Sequence, residues 1–382
     1  MQEREQKGWL RKIEEAAVPR TPYLLTDLDQ VVQEAVDFKK LMPRVGIYYA
    51  VKSNNDPRII KKLDNIIEGF DIASLGEFQQ LQALGIAANR VVYSNPVKIP
   101  QHISSTYRSG VRYYAIDGPN EVAKVAEHAP GATVYLRVKV SDYGSKFPLS
   151  SKFGLDPMHA VALASTAEDA GLHVKGITFH VGSQSENPQV WEAAINMAGE
   201  LIEDLGKADI KIEFLDIGGG FPANYEDLAF TIKDAAKVIN RALDEHIPEG
   251  VRVFAEPGRY LSANASVMVA TVIGREHRGG AEWLYLDVGV FQGLMEPLEI
   301  SGWSYPIFTK KHARGYKKSF VLTGPTCDAY DTISLDYVLP SDINVGDQLY
   351  IGATGAYSLV YASNFNGFAP PKTYYVKHKR KG

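Results

Sequence analysis

Lys52 ends the run Ile47-Tyr48-Tyr49-Ala50-Val51, which is apolar enough to be a buried strand. An amine held at such an end loses hydration, its pKa falls, and it can attack a carbonyl to form a Schiff base. A lysine that snorkels out of the sheet's end fits the same residues. His180, in Phe179-His180-Val181-Gly182-Ser183, offers a base, a metal ligand, a flat stacking surface or a satisfied structural ring. No second His or Cys is spaced for a metal, which argues against zinc. Gly218-Gly219-Gly220 follows the run Ile212–Ile217, and glycines let backbone N–H groups approach an anion such as phosphate, although a tight turn explains them equally well. Ala255-Glu256-Pro257-Gly258-Arg259 adds a carboxylate and a second glycine turn. Cys327, the one cysteine, stands beside Asp328 in Gly324-Pro325-Thr326-Cys327-Asp328-Ala329-Tyr330-Asp331, a setting less apolar than a buried core thiol prefers.

These residues need elements to place them. Between residues 45 and 256, eight short apolar runs alternate with longer helical stretches: Val45–Val51, Phe70–Ala73, Arg90–Tyr93, Arg112–Ile116, Thr133–Val140, Val174–Val181, Ile212–Ile217 and Val251–Ala255. Helix starts are marked by Asp56-Pro57, a cap before a first-turn proline, and by the capping-box residues Ser74-Leu75-Gly76-Glu77. Eight such units predict a (β/α)8 barrel of TIM type rather than a doubly wound sheet of five or six strands. Barrel chemistry gathers at the C-terminal strand ends, which here read Lys52, Asp71, Asn95, Asp117, Arg137, His180, Gly218 to Gly220 and Glu256. The two glycine turns fall after strands seven and eight, where barrels often bind phosphate. After Pro257 the runs Ser266–Ile273, Trp283–Val290, Ser319–Leu322, Gln348–Ile351 and Tyr374–Val376 lie between Gly, Pro and Asp turns, predicting an antiparallel β domain that Tyr23–Thr26 joins. The expected division is a barrel over 28–265 and a β-sheet domain from 1–27 and 266–382.

Composition excludes several function classes. With 41 Lys+Arg against 45 Asp+Glu in 382 residues the net charge is −4, which gives no electrostatic case for nucleic acid. The basic stretch Lys377 to Lys381 is short enough to be a solvated tail. No apolar run approaches the ~18–20 residues of a membrane span, and the opening MQEREQKGWLRKIEEAA is charged and amphipathic, unlike a secretory signal. A single cysteine fits a reducing, cytoplasmic compartment.

Taken in order, these stretches resemble the fold-type III pyridoxal-phosphate decarboxylases, the ornithine, lysine, arginine and diaminopimelate enzymes, whose barrel is of the alanine-racemase type. The resemblance rests on Tyr49-Ala50-Val51-Lys52-Ser53-Asn54, Phe70-Asp71-Ile72-Ala73-Ser74, Phe179 to Ser183, Leu215-Asp216-Ile217-Gly218-Gly219-Gly220, Ala255 to Arg259, Gly324 to Asp328, Gly355-Ala356-Tyr357 and Phe365-Asn366-Gly367-Phe368. It covers about residues 21 to 376. It implies that Lys52 holds pyridoxal 5′-phosphate, that His180 stacks on its ring, and that Glu256 keeps the pyridine nitrogen protonated. Ser183, Gly220, Gly258, Arg259 and Tyr357 resemble the phosphate-binding set, with Gly218 and Gly219 in the same turn, while Asp71, Glu77 and Arg137 match polar positions behind the cofactor. Cys327 resembles the proton donor to the substrate's α-carbon, and Asp328 resembles the acid that binds its distal amine.

The resemblance further implies a homodimer whose two sites are each shared between chains. Diaminopimelate enzymes carry Cys-Glu-Ser where this chain has Cys327-Asp328-Ala329, which disfavours that branch. Biosynthetic arginine decarboxylases are far longer. Eukaryotic-type ornithine enzymes place an aspartate in a short helix where this chain reads Phe291-Gln292-Gly293-Leu294-Met295-Glu296-Pro297-Leu298-Glu299, so Glu296 or Glu299 stands in for it. Ornithine, giving putrescine for polyamine synthesis, is the expected substrate; lysine comes next, then a specialised amine-bearing acid. A non-catalytic regulatory homologue would lose Lys52, the phosphate glycines or Cys327. A racemase on the related barrel would not need Cys327-Asp328 and would prefer an arginine to Glu256.

Overall fold

The computed structural model describes residues 1–225, 230–310 and 316–377, so most of the basic stretch Lys377 to Lys381 lies outside the described residues. Two compact units emerge: Met1–Val31, Ala223–Leu228 and Leu261–Gly382 form one, and Val32–Pro222 with Ala229–Tyr260 the other.

The second unit is a closed barrel of eight parallel strands: Val45–Ala50, Gly69–Ile72, Val91–Tyr93, Tyr113–Ile116, Thr133–Arg137, His173–Thr178, Phe214–Asp216 and Arg252–Ala255. Each of the eight predicted runs contains one of these strands or overlaps all but its first residue. Helices follow the strands as expected. Asp56 accepts from the Arg58 N–H and Pro57 opens the helix Pro57–Asp64. Ser74 caps Leu75–Ala83 by accepting from the Glu77 N–H, but Glu77 reaches back to the Ala73 N–H at 2.6 Å, one residue earlier than a capping box requires.

The barrel interior is packed by size complementarity. Val92, Ala115, Tyr135, Phe214 and Phe254 form a buried cluster. Each such ring contributes roughly 1.5–3 kcal/mol by leaving water. Two of the largest side chains face glycine across the strand register: Tyr48 pairs with Gly69 and Phe214 with Gly176. A Cβ on Gly69 would meet the Tyr48 ring at 2.4 Å, and one on Gly176 would meet the Phe214 ring at 2.2 Å.

The register also sets the height of the functional strand ends. Ala50 pairs with Asp71, so the short turn Val51–Ser53 lifts Lys52 just above that carboxylate. Arg137, Thr178 and Asp216 are successive partners across three strands and share one level. Glu256 follows Ala255, whose partner Ile47 closes the barrel.

The first unit is built on an eight-stranded sheet. Tyr23–Thr26 joins it, antiparallel to Ser266–Arg278 and parallel to Lys372–Tyr375. Ala281–Leu286 also runs parallel to Lys317–Thr323, so the sheet is mostly, not wholly, antiparallel. Two further strands, Ile307–Phe308 and Thr332–Pro340, extend it. The amphipathic opening forms the helix Glu3–Ala16, which buries Trp9 and Ile13 with Tyr23, Leu25, Val267, Val269, Phe308 and Tyr350.

Candidate active site

In the barrel unit, Lys52 Nζ donates to Asp71 Oδ2 at 2.6 Å. The lysine side chain is 41% exposed and that of Asp71 only 1%, so solvent and an acid surround the amine rather than the apolar enclosure its strand suggested. The other oxygen of Asp71, Oδ1, is buried with no hydrogen-bond partner among the described residues. Glu77 lies near the same pair, and burial chiefly raises its pKa, with the Asp71 charge adding to the rise and Lys52 opposing it. Asn95 and Asp117 are occupied in loop structure: the Asn95 amide donates to the Ala73 carbonyl, and Asp117 accepts from the Gly154 N–H at 3.0 Å.

His180 Nδ1 accepts from the Gly182 N–H at 3.0 Å, so any ring proton sits on Nε2. Burial above all, then the charges of Arg137 and Lys52, holds this imidazole well below its usual range, which makes it a neutral flat ring at pH 7. The glycine turn packs directly against it. A Cβ on Gly219 would lie 2.9 Å from His180 Nε2 and 3.0 Å from the Glu256 carbonyl. Gly218 and Gly220 have φ of 65° and 102°, where side chains are strained. Gly258 approaches Ser53 so closely that a Cβ would fall 2.7 Å from its Cβ. Arg259 Nε donates to Ser183 Oγ at 3.1 Å, and its guanidinium lies 4.9 Å from the centre of the Phe147 ring.

Glu256 is buried, and burial followed by the charges of Asp216 and Asp71 pushes its pKa well above the ordinary carboxylate range, against the opposing effect of Lys52. Asp216 is pushed up to about 6 by burial, although the Gly218 N–H (2.9 Å) and Thr178 Oγ1 (2.8 Å) both donate to it. Ser94 Oγ donates to Glu256 Oε1 and is 2.7 Å from the Tyr135 hydroxyl. The roles drawn from the sequence left out Ser94 and Tyr135, and gave none to Asp216. Asp216 carried a signal, as an acid at the end of a strand that otherwise reads as apolar, whereas Ser94 and Tyr135 carried none.

The β unit carries a second cluster. Cys327 is exposed. Its N–H and its thiol both donate to Asn366 Oδ1, at 3.3 and 3.4 Å. Asn366 belongs to a recognised motif but had no assigned part. Asp328 Oδ1 accepts from the Tyr330 N–H at 2.8 Å. Buried Asp331 fixes the turn: Val290 N–H donates to its Oδ1, and Thr326 donates to Oδ2 through both N–H and hydroxyl. Glu296 is buried in the short helix Glu296–Glu299 and accepts from the Tyr305 hydroxyl at 3.4 Å, whereas Glu299 is exposed. Tyr357 holds a left-handed φ of 51° and stacks on Tyr361.

The sequence model of the family "Pyridoxal-dependent decarboxylase, pyridoxal binding domain" matches residues 28–263, more than half of the chain. The chain belongs to the pyridoxal-dependent decarboxylases. A lysine/ornithine decarboxylase of Selenomonas ruminantium is 35% identical, over 91% of this chain and 88% of its own. The solved lysine/ornithine decarboxylase of Vibrio vulnificus, complexed with cadaverine, matches 99% of this chain and 100% of its own at 31% identity and a TM-score of 0.87. The arginine decarboxylase of Paramecium bursaria Chlorella virus matches 97% of this chain and 100% of its own at 27% identity and a TM-score of 0.89. This decarboxylase is a carboxy-lyase acting on basic amino acids, and its cofactor is pyridoxal 5′-phosphate. The barrel residues fit that cofactor: an amine beside an orphaned buried carboxylate oxygen, a neutral flat ring, a buried acid, and glycine turns into which a Cβ would not fit. Among the described residues no helix is long and apolar enough to cross a membrane.

Proposed function

We propose that this decarboxylase converts L-ornithine to putrescine and CO2. The observation that carries the reading is the carboxylate of Asp328 next to the single thiol, on a turn held by buried Asp331. A proton donor beside an acid suits a substrate with a positive group at the far end of its chain. Glu296 is one methylene longer than aspartate, leaves less room, and so favours the shorter diamine. The Selenomonas relative is named for both lysine and ornithine, which supports lysine, giving cadaverine, as the second substrate.

In this reading Lys52 supplies the amine that holds the cofactor and yields it to the substrate. His180 packs its neutral ring against the cofactor, and Glu256 holds a proton at the pyridine nitrogen. The turns at Gly218, Gly219, Gly220 and Gly258, with Ser183, Arg259 and Tyr357, receive the phosphate, while Asp71 and Arg137 orient groups around the amine. When bound, the cofactor supplies the electron sink that allows the α-carboxylate to leave. Cys327 then delivers a proton to the substrate's α-carbon, and Asp328 with Glu296 binds the distal ammonium.

Incubating the holoenzyme with L-ornithine, L-lysine and L-arginine, and identifying the amine formed with CO2, tests the substrate. Putrescine as the fastest product is expected; agmatine from arginine as the main product overturns the proposal. The same reading takes the protein as a homodimer in which Cys327 and Asp328 of one chain complete the Lys52 site of the other. Remixing equal amounts of Lys52→Ala and Cys327→Ala chains should restore about a quarter of wild-type activity under random pairing, because half of the dimers are mixed and each of those has one intact site. No recovery, with subunit exchange shown independently, rules out the shared site.

A further inference from the structure

Ser94 and Tyr135 are buried hydroxyls two strands apart, with Tyr113–Ile116 between them, and neither is assigned a part in the chemistry. Ser94 follows the strand Val91–Tyr93 and continues its ladder, donating its N–H to the Ile72 carbonyl at 3.2 Å. Its hydroxyl meets two oxygens, Glu256 Oε1 and the Tyr135 hydroxyl. A serine has one hydroxyl proton. If that proton goes to Glu256, the proton between Ser94 and Tyr135 must come from the tyrosine. The order is therefore fixed as Tyr135 to Ser94 to Glu256. Tyr135 is well suited to the donor end, since burial, with the nearby Glu256 and Asp216 charges adding to it, holds its phenol well above its usual range.

The surroundings show what this chain of donors works against. Asp216 and Asp71 press a proton onto Glu256, and the Lys52 charge opposes them. The Asp216 charge raises Glu256's cost of ionising, Glu256 in turn lowers that of Asp216, and two carboxyl groups that interact this strongly titrate as a pair. Thr178 and the Gly218 N–H both donate to Asp216 and favour its anion, leaving the proton to Glu256. Ser94 gives the opposing donor on the glutamate side.

We propose that Ser94 and Tyr135 are positioning residues: their two-hydroxyl relay fixes Glu256 as an acceptor, so that the proton it shares resides on the cofactor's pyridine nitrogen rather than on its own carboxyl. The inference rests on the reading that Glu256 faces that nitrogen. Losing a donor to a charged group corresponds to about a ten- to hundredfold loss in turnover.

The test is 15N NMR of holoenzyme reconstituted with pyridine-15N-labelled pyridoxal 5′-phosphate, read with turnover and thermal stability. The wild type should give the resonance of a protonated ring nitrogen. Ser94→Ala should move it toward an unprotonated pyridine and lower kcat about ten- to hundredfold, Tyr135→Phe should move it the same way by less, and Ser94→Thr, which keeps the hydroxyl, should restore it. An unprotonated wild-type nitrogen overturns the reading of Glu256 itself. A protonated wild type with an unmoved resonance in Ser94→Ala overturns the relay and leaves Glu256 in place. Should Ser94→Ala fail to fold, Tyr135→Phe deletes one oxygen and decides alone: an unmoved resonance there overturns the relay.

Discussion

The two units hold their reactive groups in opposite ways. In the barrel, Asp71, Glu256 and Asp216 are buried at strand ends, where the register fixes their height and the low dielectric makes each hydrogen bond strong. In the β unit, Cys327 is exposed on a turn whose shape depends on one buried carboxylate, Asp331. On the proposed reading the cofactor is held by these buried strand-end groups. A substrate that differs between relatives can be read by a short turn, where a side chain can change without disturbing a core. On the proposed reading, the difference teaches that the cofactor's chemistry rests on buried strand ends and substrate choice on an exposed turn.

Removing the amine tests the barrel side most severely. Lys52→Ala should abolish decarboxylation and the visible absorbance of the lysine-bound cofactor while the barrel stays folded, as circular dichroism would show; near-normal turnover would mean that the amine is elsewhere. The turn should respond less drastically. Asp328→Ala is expected to lower kcat/KM for ornithine about ten- to hundredfold, the loss of one charge-assisted hydrogen bond, and to leave cofactor absorbance intact. An equal loss on a substrate without the distal amine would place Asp328 among the structural groups of its turn.

The smallest effect concerns protons rather than turnover. Asp216, pushed up to about 6 in the folded chain, binds a proton that the unfolded chain releases near pH 4. Its stabilising contribution is therefore complete below about pH 4 and is lost as pH rises toward 6. In cofactor-free protein, Asp216→Asn lacks this loss, so the gap in melting temperature between wild type and variant should move in the variant's favour from pH 4 to pH 7. A gap independent of pH would show that the folded carboxyl titrates as it does in the unfolded chain.

Much of the barrel could be read from the letters because its strands are buried on both sides and appear as continuous apolar runs. The strand Thr332–Pro340 was missed for the converse reason: Leu335, Asp336 and Val338 are all exposed, so no clean alternation marks a face. Ile307–Phe308 is too short to leave a pattern. Lys52 was legible as a special residue, but its surroundings were not, since Asp71 arrives from the neighbouring strand through a register that no local stretch encodes. Ser94 and Tyr135 were hidden similarly. Tyr135 sits in Thr-Val-Tyr-Leu-Arg, where a tyrosine looks like one more bulky strand residue, and its partner lies 41 positions away.

The pairing of large rings with glycines inside the barrel has a consequence for the protein's history. Tyr48 and Gly69, or Phe214 and Gly176, share one volume between two strands. Neither member can mutate freely: a methyl added at residue 176 would overlap the Phe214 ring, and trimming that ring alone would leave a hole worth about 3–5 kcal/mol. At the second pair change is therefore expected to be correlated, with Gly176 gaining bulk only in lineages where Phe214 has already shrunk, whereas Gly69 is also held by the Arg90 carbonyl, 2.3 Å from where its Cβ would lie.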